Sequence, residues 1–183
     1  MILCDSDIGK HIAEGRIVIL PEFNENDIRP TGVRMHLGKD ILIPKPGQLI
    51  DPGVDAEVAY DRTSIAEGGF VLKRDAFILA STYEKVMAAP DLVAYIEGRS
   101  TVARLGVQIH CTSGIIDSIH NEPRAIVLEI KNIGVFDIVI KEHMPVAMLV
   151  FSQVSGKIRQ RSQSQYQNQD SVEPPNLSFK INR

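Results

Sequence analysis

The sequence has little cysteine and no tryptophan: two cysteines occur among 183 residues. Cys4 and Cys111 stand far apart and form no C-x-x-C pair, so neither a disulfide framework nor a zinc site is indicated. We therefore expect two buried or inert thiols in a reducing compartment, and no metal ion bound by the protein itself.

Long apolar runs are also missing. No segment reaches the roughly 20 apolar residues of a membrane span, and the first residues carry neither the basic region nor the apolar run of a signal peptide. The net charge of −3 gives no reason to expect binding to nucleic acid or to a membrane. We expect a cytoplasmic protein in which locally clustered basic side chains would hold any anionic ligand.

Several signatures of catalysis are absent as well. The sequence contains no P-loop, no G-x-G-x-x-G and no H-E-x-x-H spacing. The two cysteines cannot form the zinc deaminase signature, H-x-E followed by P-C-x-x-C. Any chemistry must come from other groups.

What the sequence does contain is a series of short apolar segments between turns. One amphipathic helix is predicted over residues 5–14, followed by Gly15. Beyond it, short β patterns broken by Pro-Gly and Gly-Gly pairs are typical of a barrel or a jelly-roll-like sandwich. The predicted strands are 17–20, 40–43, 70–73, 77–81, 93–97, 107–110, 125–132, 137–140 and 146–154.

The end of the chain differs in composition from the rest. Residues 160–170 are polar and rich in glutamine, and they have too few apolar side chains to form a core of their own. We expect one β domain over residues 1–158 and a C-terminal arm over residues 159–183.

A basic cluster interrupts the strand pattern. Ser100 is expected to cap a short helix that ends at Gly106. Arg104 then lies one turn after Ser100, and Arg99 lies just before the free N–H groups of the first turn. This arrangement suits a phosphate. An ordinary surface arginine pair beside a serine cap is the alternative.

Glu129 stands in an otherwise apolar strand. Strand alternation places Val127 and Glu129 on the face opposite Leu128 and Ile130. In a half-apolar pocket, Glu129 would have a raised pKa and could act as a general base. A solvated strand carboxylate is the alternative.

Two further polar residues lie between these segments. Asp117, at a strand end, could accept a hydrogen bond from a sugar hydroxyl, or it could be a turn residue. We expect His110, between Ile109 and Cys111, to be a satisfied interior histidine and not a metal ligand.

Together these segments resemble the motifs of dCTP deaminases, which belong to the trimeric dCTP deaminase/dUTPase superfamily. The opening residues 1–8 and the segments 30–38 and 144–151 also fit. The segments that carry the resemblance are Glu97–Gly106, Thr112–Asp117, Val127–Glu129 and Gln165–Gln169.

The resemblance implies a distorted β jelly roll, dUTPase-like, that assembles as a homotrimer with active sites between subunits. It implies hydrolytic deamination of dCTP to dUTP, which supplies the precursor for thymidylate synthesis. Mg²⁺ would be bound through the substrate triphosphate.

The resemblance also assigns roles by position. Glu129 would activate water for attack at C4 of cytosine and then return the proton to the ring or to leaving ammonia. Ser100 and Arg104 would hold the water and Glu129 in place, and both count among the substrate-binding residues, as does Thr101.

The remaining roles concern the nucleotide. Arg99 would meet phosphate, and Asp117 would bind the 3′-hydroxyl of deoxyribose. Val127 would contact the base, and Gln169 on the arm would close over the triphosphate.

The sequence departs from the family pattern at several positions. Arg34 stands where an aspartate is expected, and His36 where an arginine is expected. The loop 118–124 is two residues longer than usual, and Gln165 replaces a lysine. These changes bear on nucleotide affinity and selectivity.

Three hypotheses follow. The first is a dCTP deaminase. The second is a bifunctional enzyme that also cleaves the triphosphate to give dUMP, since Gly114 after Ser113 resembles the turn of bifunctional members. The third is a non-catalytic trimer that binds a nucleotide or a regulatory protein.

Overall fold

The described part of the chain folds mainly into β-strands, with two short α-helices. The computed structural model describes residues 1–21, 24–52, 57–117, 119, 121–156, 158, 166 and 170–177. Helix α1 is Asp5–Ala13, helix α2 is Ser100–Arg104, and Glu25–Asp27 form a 3₁₀ turn. The expected β fold, with one N-terminal helix and a short helix after residue 100, is confirmed. Within these residues, neither α-helix has the length and apolarity that spanning a bilayer requires.

The strands are short except for three long ones near the middle and end of the chain. In order they are β1 (Ile17–Leu20), β2 (Ile28–Arg29), β3 (Gly32–His36), β4 (Asp40–Pro44), β5 (Tyr60–Ser64), β6 (Phe70–Leu72), β7 (Phe77–Ala88), β8 (Leu92–Gly98), β9 (Val107–Gln108), β10 (Ile115–Ile116), β11 (Arg124–Asn132), β12 (Ile138–Ile140) and β13 (Pro145–Gln153).

These strands form antiparallel sheets around one principal core. One sheet has the order β5-β4-β7-β11-β9, with β1 also paired to β7, and a second has the order β10-β8-β13-β3-β2. Strands β12 and β6 form a separate pair. Alternating apolar residues bury their side chains between the sheets, among them Met35, Leu128 and Phe151, which are fully buried. This alternation is what the sequence pattern predicts for sheets with one solvated face.

Nine of the strands correspond to predicted ones, and four do not. Strand β7 runs seven residues beyond its predicted end, while the segment predicted over 107–110 is a strand only at Val107–Gln108. Strands β2, β3, β5 and β10 were not predicted. Strand β3 lacks the apolar run that marks a buried strand in the sequence, because it contains Arg34 and His36.

The pairing of β7 with β11 sets the position of the candidate site. Glu129 lies opposite Leu79, and Lys131 lies opposite Phe77. Directly opposed residues on antiparallel strands share a face of the sheet. Glu129 therefore stands among apolar side chains of β7.

Helix α2 begins differently from the prediction. Arg99 is the N-cap residue and makes no side-chain cap bond, while Ser100 is already the first helical residue. The expectation that Ser100 caps the helix is wrong, because the extended backbone before the helix ends one residue earlier. The predicted end at Gly106 is confirmed by its positive φ of 82°.

Both cysteines are free and exposed, so of the two expected states, buried or inert, burial is wrong. Cys4 immediately precedes α1, where its Sγ lies 3.1 Å from Oγ of Ser6. Cys111 lies in the loop between β9 and β10. Neither position belongs to the alternating pattern that fills the core.

Candidate active site

Glu129 is half-buried on β11 and faces away from the main core. Its neighbours Leu128 and Ile130 are buried on the opposite face, as the alternation predicts. Val127 shares the face of Glu129 and is also half-buried. The half-apolar setting expected for this carboxylate is confirmed.

The loop after β9 supplies a hydrogen-bond donor to this carboxylate. The backbone N–H of Cys111 donates to Oε2 of Glu129 across 3.4 Å, and Sγ of Cys111 lies 3.5 Å from the carbonyl oxygen of Glu129. The carboxylate is thus tied to a backbone group on a separate segment.

Burial raises the pKa of Glu129 above the usual glutamate range. The hydrogen bond from Cys111 and the nearby charge of His110 oppose this effect but do not cancel it. A carboxylate with a raised pKa is a better proton acceptor than an ordinary glutamate.

A cavity of about 510 Å³ opens at Glu129. Its volume lies in the range of small-molecule sites in proteins. Among the described residues that line it, the charged side chains are two carboxylates. The lining consists of Tyr60, Phe77, Leu79, Ser113, Val127, Glu129, Tyr166, Glu173, Pro174 and Pro175.

Residues of the C-terminal arm form one wall of this cavity. Val172 is fully buried and packs in a small cluster with Leu42 and Leu79. The guanidinium of Arg62 donates to the carbonyl oxygen of Val172 at 3.0 Å. This part of the arm is therefore attached to β4, β5 and β7 of its own chain.

Further polar contacts hold the arm on either side of Val172. Lys85 Nζ lies 2.9 Å from Oδ1 of Asp170, although that carboxylate is largely exposed. Arg124, which is 6% exposed, donates from Nη1 to the carbonyl oxygen of Tyr166 at 3.3 Å. The backbone N–H of Asn176 donates to the Tyr166 hydroxyl at 3.0 Å.

Tyr60 and Tyr166 come from distant parts of the sequence and meet at the cavity. Burial, followed by the charge of Tyr166, raises the pKa of the Tyr60 phenol. The Tyr60 hydroxyl therefore stays protonated at neutral pH, and both rings are available for packing against a planar ligand.

The predicted site residues fall into two groups. Val127 and Glu129 line the cavity. The candidates at and on α2, and the one after β10, are not among the described residues that line the cavity. Gln169 lies outside the described residues. The residues not brought to the cavity within one chain are Arg99, Ser100, Thr101, Arg104 and Asp117.

The residues on α2 are nevertheless accessible. Ser100, Thr101 and Arg104 are exposed, and Asp117 is exposed after β10. Arg99 is half-buried, and its Nη1 donates to the carbonyl oxygen of Pro145 at 3.0 Å. One chain thus presents two separate parts: a carboxylate in a cavity and a basic helix on the surface.

Sequence reasoning missed most of the cavity wall. Phe77 and Leu79 belong to a predicted strand, and the pairing of β7 with β11 would have placed them beside Glu129. Tyr60, Glu173 and the two prolines carry no local signal, because long-range packing of β5 and the arm brings them to the cavity.

His110 is only partly the interior residue that we expected. Its Nε2 lies 3.6 Å from Oε2 of Glu97. Its Nδ1 is buried and has no hydrogen-bond partner among the described residues. The described residues also contain no group of three or more His, Cys, Asp or Glu side chains arranged to hold a metal ion.

Arg34 and His36, the residues of β3 that depart from the family pattern, each contact an acidic side chain of the same chain. Arg34 Nη1 lies 3.1 Å from Oδ1 of Asp27. His36 Nδ1 lies 2.5 Å from Oε1 of Glu84, and the His36 backbone N–H donates to Oε2 of the same carboxylate at 2.9 Å. Since Glu84 is only 4% exposed, these contacts satisfy an otherwise costly buried group.

Comparison with protein families gives a match over most of the chain. The sequence profile of the family described as dCTP deaminase-like matches residues 2–154. This range covers all thirteen strands described above and excludes the arm.

Curated relatives agree with the family match. The chain is 39% identical over 157 residues to a protein of Methanosphaera stadtmanae named dCTP deaminase, dUMP-forming, covering 82% of this chain and 78% of the relative. It is 34% identical over 160 residues to a protein of Natronomonas pharaonis named dCTP deaminase, covering 84% and 81%.

A solved structure supports the fold. The crystal structure of 2′-deoxycytidine 5′-triphosphate deaminase from Agrobacterium tumefaciens matches with a TM-score of 0.64 at 17% identity. The match covers 82% of this chain and 47% of that one, so this chain spans about half the length of that structure.

Proposed function

Because the chain belongs to the dCTP deaminase-like family, we propose that it catalyses the hydrolytic deamination of dCTP to dUTP and ammonia. The observation that carries the proposal is the half-buried carboxylate of Glu129 in a cavity of about 510 Å³, with its pKa raised by burial. The dUTP formed would serve as the precursor for thymidylate synthesis.

The chemistry follows from the position and basicity of Glu129. As a general base, it takes a proton from water while the water oxygen bonds to C4 of cytosine. The protonated carboxyl then returns this proton to the ring or to the departing amino group. The second proton of the water, now on the C4 hydroxyl, passes through the same carboxylate to whichever of these two positions is still unprotonated. The C4–N4 bond breaks, ammonia leaves, and the carbonyl of uracil forms.

The basic helix would come from a neighbouring copy. Within one chain, Ser100 and Arg104 do not line the cavity of Glu129. In a homotrimer with intersubunit sites, they would hold the water and the carboxylate in place. Thr101 would belong to the same substrate-binding surface. The requirement for a second copy is consistent with the exposure of these side chains.

The rest of the nucleotide would meet the remaining predicted residues. Arg99 would bind phosphate, and Asp117 the 3′-hydroxyl of deoxyribose. Val127 would contact the base, and Gln169 would close over the triphosphate. Mg²⁺ would be bound mainly through the substrate phosphates, an arrangement that needs no cage of protein ligands.

The direct test is an assay of ammonia release from dCTP with Mg²⁺. Glu129→Gln keeps the shape of the side chain and removes the base, so we expect kcat to fall by about 10² to 10⁴-fold. Glu67→Gln is the matched control, since Glu67 is exposed and lies outside the cavity lining. Full turnover by Glu129→Gln would contradict the proposal, and so would a lack of turnover by the unmodified protein.

A second candidate is a bifunctional enzyme that forms dUMP. It is favoured by relatives named dCTP deaminase, dUMP-forming, and by Ser113, which lines the cavity beside Gly114. Release of pyrophosphate together with ammonia distinguishes this activity, because simple deamination leaves the triphosphate intact. Nucleotide binding without any product would favour the non-catalytic alternative.

A further inference from the structure

The cavity contains a second carboxylate that the mechanism above does not use. Glu173 lines the cavity from the arm, whereas Glu129 lines it from β11. We infer that Glu173 is a specificity-determining residue, which accepts a hydrogen bond from the N4 amino group of cytosine and disfavours the O4 oxygen of uracil. This inference rests on the proposed deamination.

The backbone on the N-terminal side of Glu173 is held in place. Val172, which immediately precedes it, is fully buried between Leu42 and Leu79. Arg62 donates to the Val172 carbonyl oxygen at 3.0 Å. The backbone position from which the Glu173 side chain extends is therefore fixed, although Glu173 itself is exposed.

The backbone on the C-terminal side is restricted too. Pro174 and Pro175 follow directly and line the same cavity. Each proline ring fixes φ, and each proline also restricts the residue that precedes it. The arm therefore presents Glu173 to the cavity from a stiff segment, which reduces the entropy cost of a contact with a ligand.

The charge of the cavity indicates which end of a nucleotide enters it. The described lining residues include two carboxylates and neither lysine nor arginine. A triphosphate would be repelled there, while an uncharged base would not. The aromatic rings of Tyr60, Phe77 and Tyr166 add surfaces suited to a planar ring.

Hydrogen-bond direction then separates substrate from product. An ionised carboxylate only accepts hydrogen bonds. Cytosine carries a donor at N4, whereas uracil, like thymine, carries an acceptor oxygen at C4. Glu173 would thus favour dCTP and would oppose dUTP once the amino group has left.

Glu129 cannot perform this selection alone. One of its oxygens already receives the Cys111 N–H, and the carboxylate must also face the attacking water. After it has taken a proton, it becomes a hydrogen-bond donor as well as an acceptor. A second carboxylate on a different segment keeps base recognition separate from proton transfer.

The test compares the affinities for dCTP and dUTP in the full-length protein and in Glu173→Gln. A glutamine amide can accept from N4 or donate to O4, so it removes the discrimination and conserves the shape. We expect dCTP to bind more weakly and dUTP more tightly, so that the preference for dCTP falls by about tenfold or more. Calorimetric dissociation constants, measured in a Glu129→Gln background so that dCTP is not consumed, report this change, as do the KM for dCTP and product inhibition by dUTP in the active protein.

The control and the contrary outcomes are distinct. Glu67→Gln makes the same charge change at an exposed site outside the cavity and should leave both affinities unchanged. An equal loss of both affinities in Glu173→Gln would indicate a structural role and overturn the inference, as would no change in either affinity.

Failure of the proposed function has a different signature. If the unmodified protein prefers dCTP in calorimetry, Glu173→Gln abolishes the preference, and no ammonia appears, then deamination is refuted while recognition by Glu173 stands. If neither nucleotide binds, both proposals are refuted. Thermal unfolding of each variant verifies that it is folded.

Discussion

The backbone N–H of Cys111 donates to the carboxylate of Glu129 across 3.4 Å, which places an exposed thiol beside the candidate catalytic base. Partial loss of hydration raises the pKa of the Cys111 thiol, exposed though the residue is, and the negative charge of Glu129 raises it further. The reactivity of this thiol therefore reports on the charge of its neighbour.

Alkylation of Cys111 should accelerate when Glu129 is replaced by glutamine. Removing the negative charge favours the thiolate, so at pH 8 we expect labelling by iodoacetamide to become about two- to fivefold faster. A Cys4→Ser background leaves one reactive thiol, and mass spectrometry follows the rate. An unchanged or slower rate would show that the thiol does not sense this carboxylate.

The pH dependence of turnover should have an acidic limb above the ordinary range of glutamate. Activity needs the ionised carboxylate and is lost as pH falls through the raised pKa of Glu129. A profile of kcat against pH for dCTP measures this limb. A limb at or below about pH 4.3, the usual glutamate value, would contradict the effect of burial.

The same raised pKa has a consequence for stability. Between the unfolded and the folded pKa values, the folded protein binds more protons at Glu129, so stability decreases as pH rises through this window. We therefore expect Glu129→Gln to have a higher Tm than the unmodified protein at pH 7.5. The difference should disappear at a pH below the unfolded pKa, which thermal unfolding at both pH values measures.

Detaching the arm should weaken substrate binding without unfolding the domain. Val172 is fully buried, so Val172→Asp places an unpaired charge in the cluster with Leu42 and Leu79. We expect limited proteolysis of the arm to accelerate by about tenfold or more and the KM for dCTP to rise. Val139→Asp is the control, because Val139 is 49% exposed. An intact, protected arm in Val172→Asp would contradict the contact.

Gly106 should tolerate no side chain. Its φ is 82°, and a Cβ there would lie 2.4 Å from the Cα of Gly134. We expect Gly106→Ala to lower the free energy of unfolding by about 3 kcal/mol or more. Gly47 has a similar φ of 77° with nothing within 4 Å of an added Cβ, so Gly47→Ala should cost only about 1 kcal/mol of backbone strain. Urea unfolding of both variants measures the two losses in free energy of unfolding and so separates backbone strain from the collision with Gly134. Equal losses in the two variants would exclude the collision.

The sequence pattern predicts the elements whose signals are local. Strand β11 alternates cleanly from Ile126 to Ile130, and its buried and half-buried faces follow that alternation. Helix α2 ends where Gly106 allows a left-handed backbone. Each of these features depends on residues within a few positions of one another.

Features that depend on distant partners were not predictable in the same way. Strand β3 contains Arg34 and His36, whose residue types are typical of the surface. Their positions in the sheet depend on contacts with Asp27 and Glu84, which the local sequence does not indicate. The cavity wall formed by Glu173 depends on the burial of Val172 against strands about ninety or more residues earlier. Neither relationship leaves a periodic trace in the sequence.

The separation of α2 from the cavity within one chain has a genetic consequence. If each site combines Glu129 of one copy with Arg104 of another, then Glu129→Gln and Arg104→Ala chains, each inactive alone, should complement one another when co-expressed. Random mixing into rings of three would restore about a quarter of the sites. Deaminase activity would then return in the hybrids, although neither parent carries a functional gene.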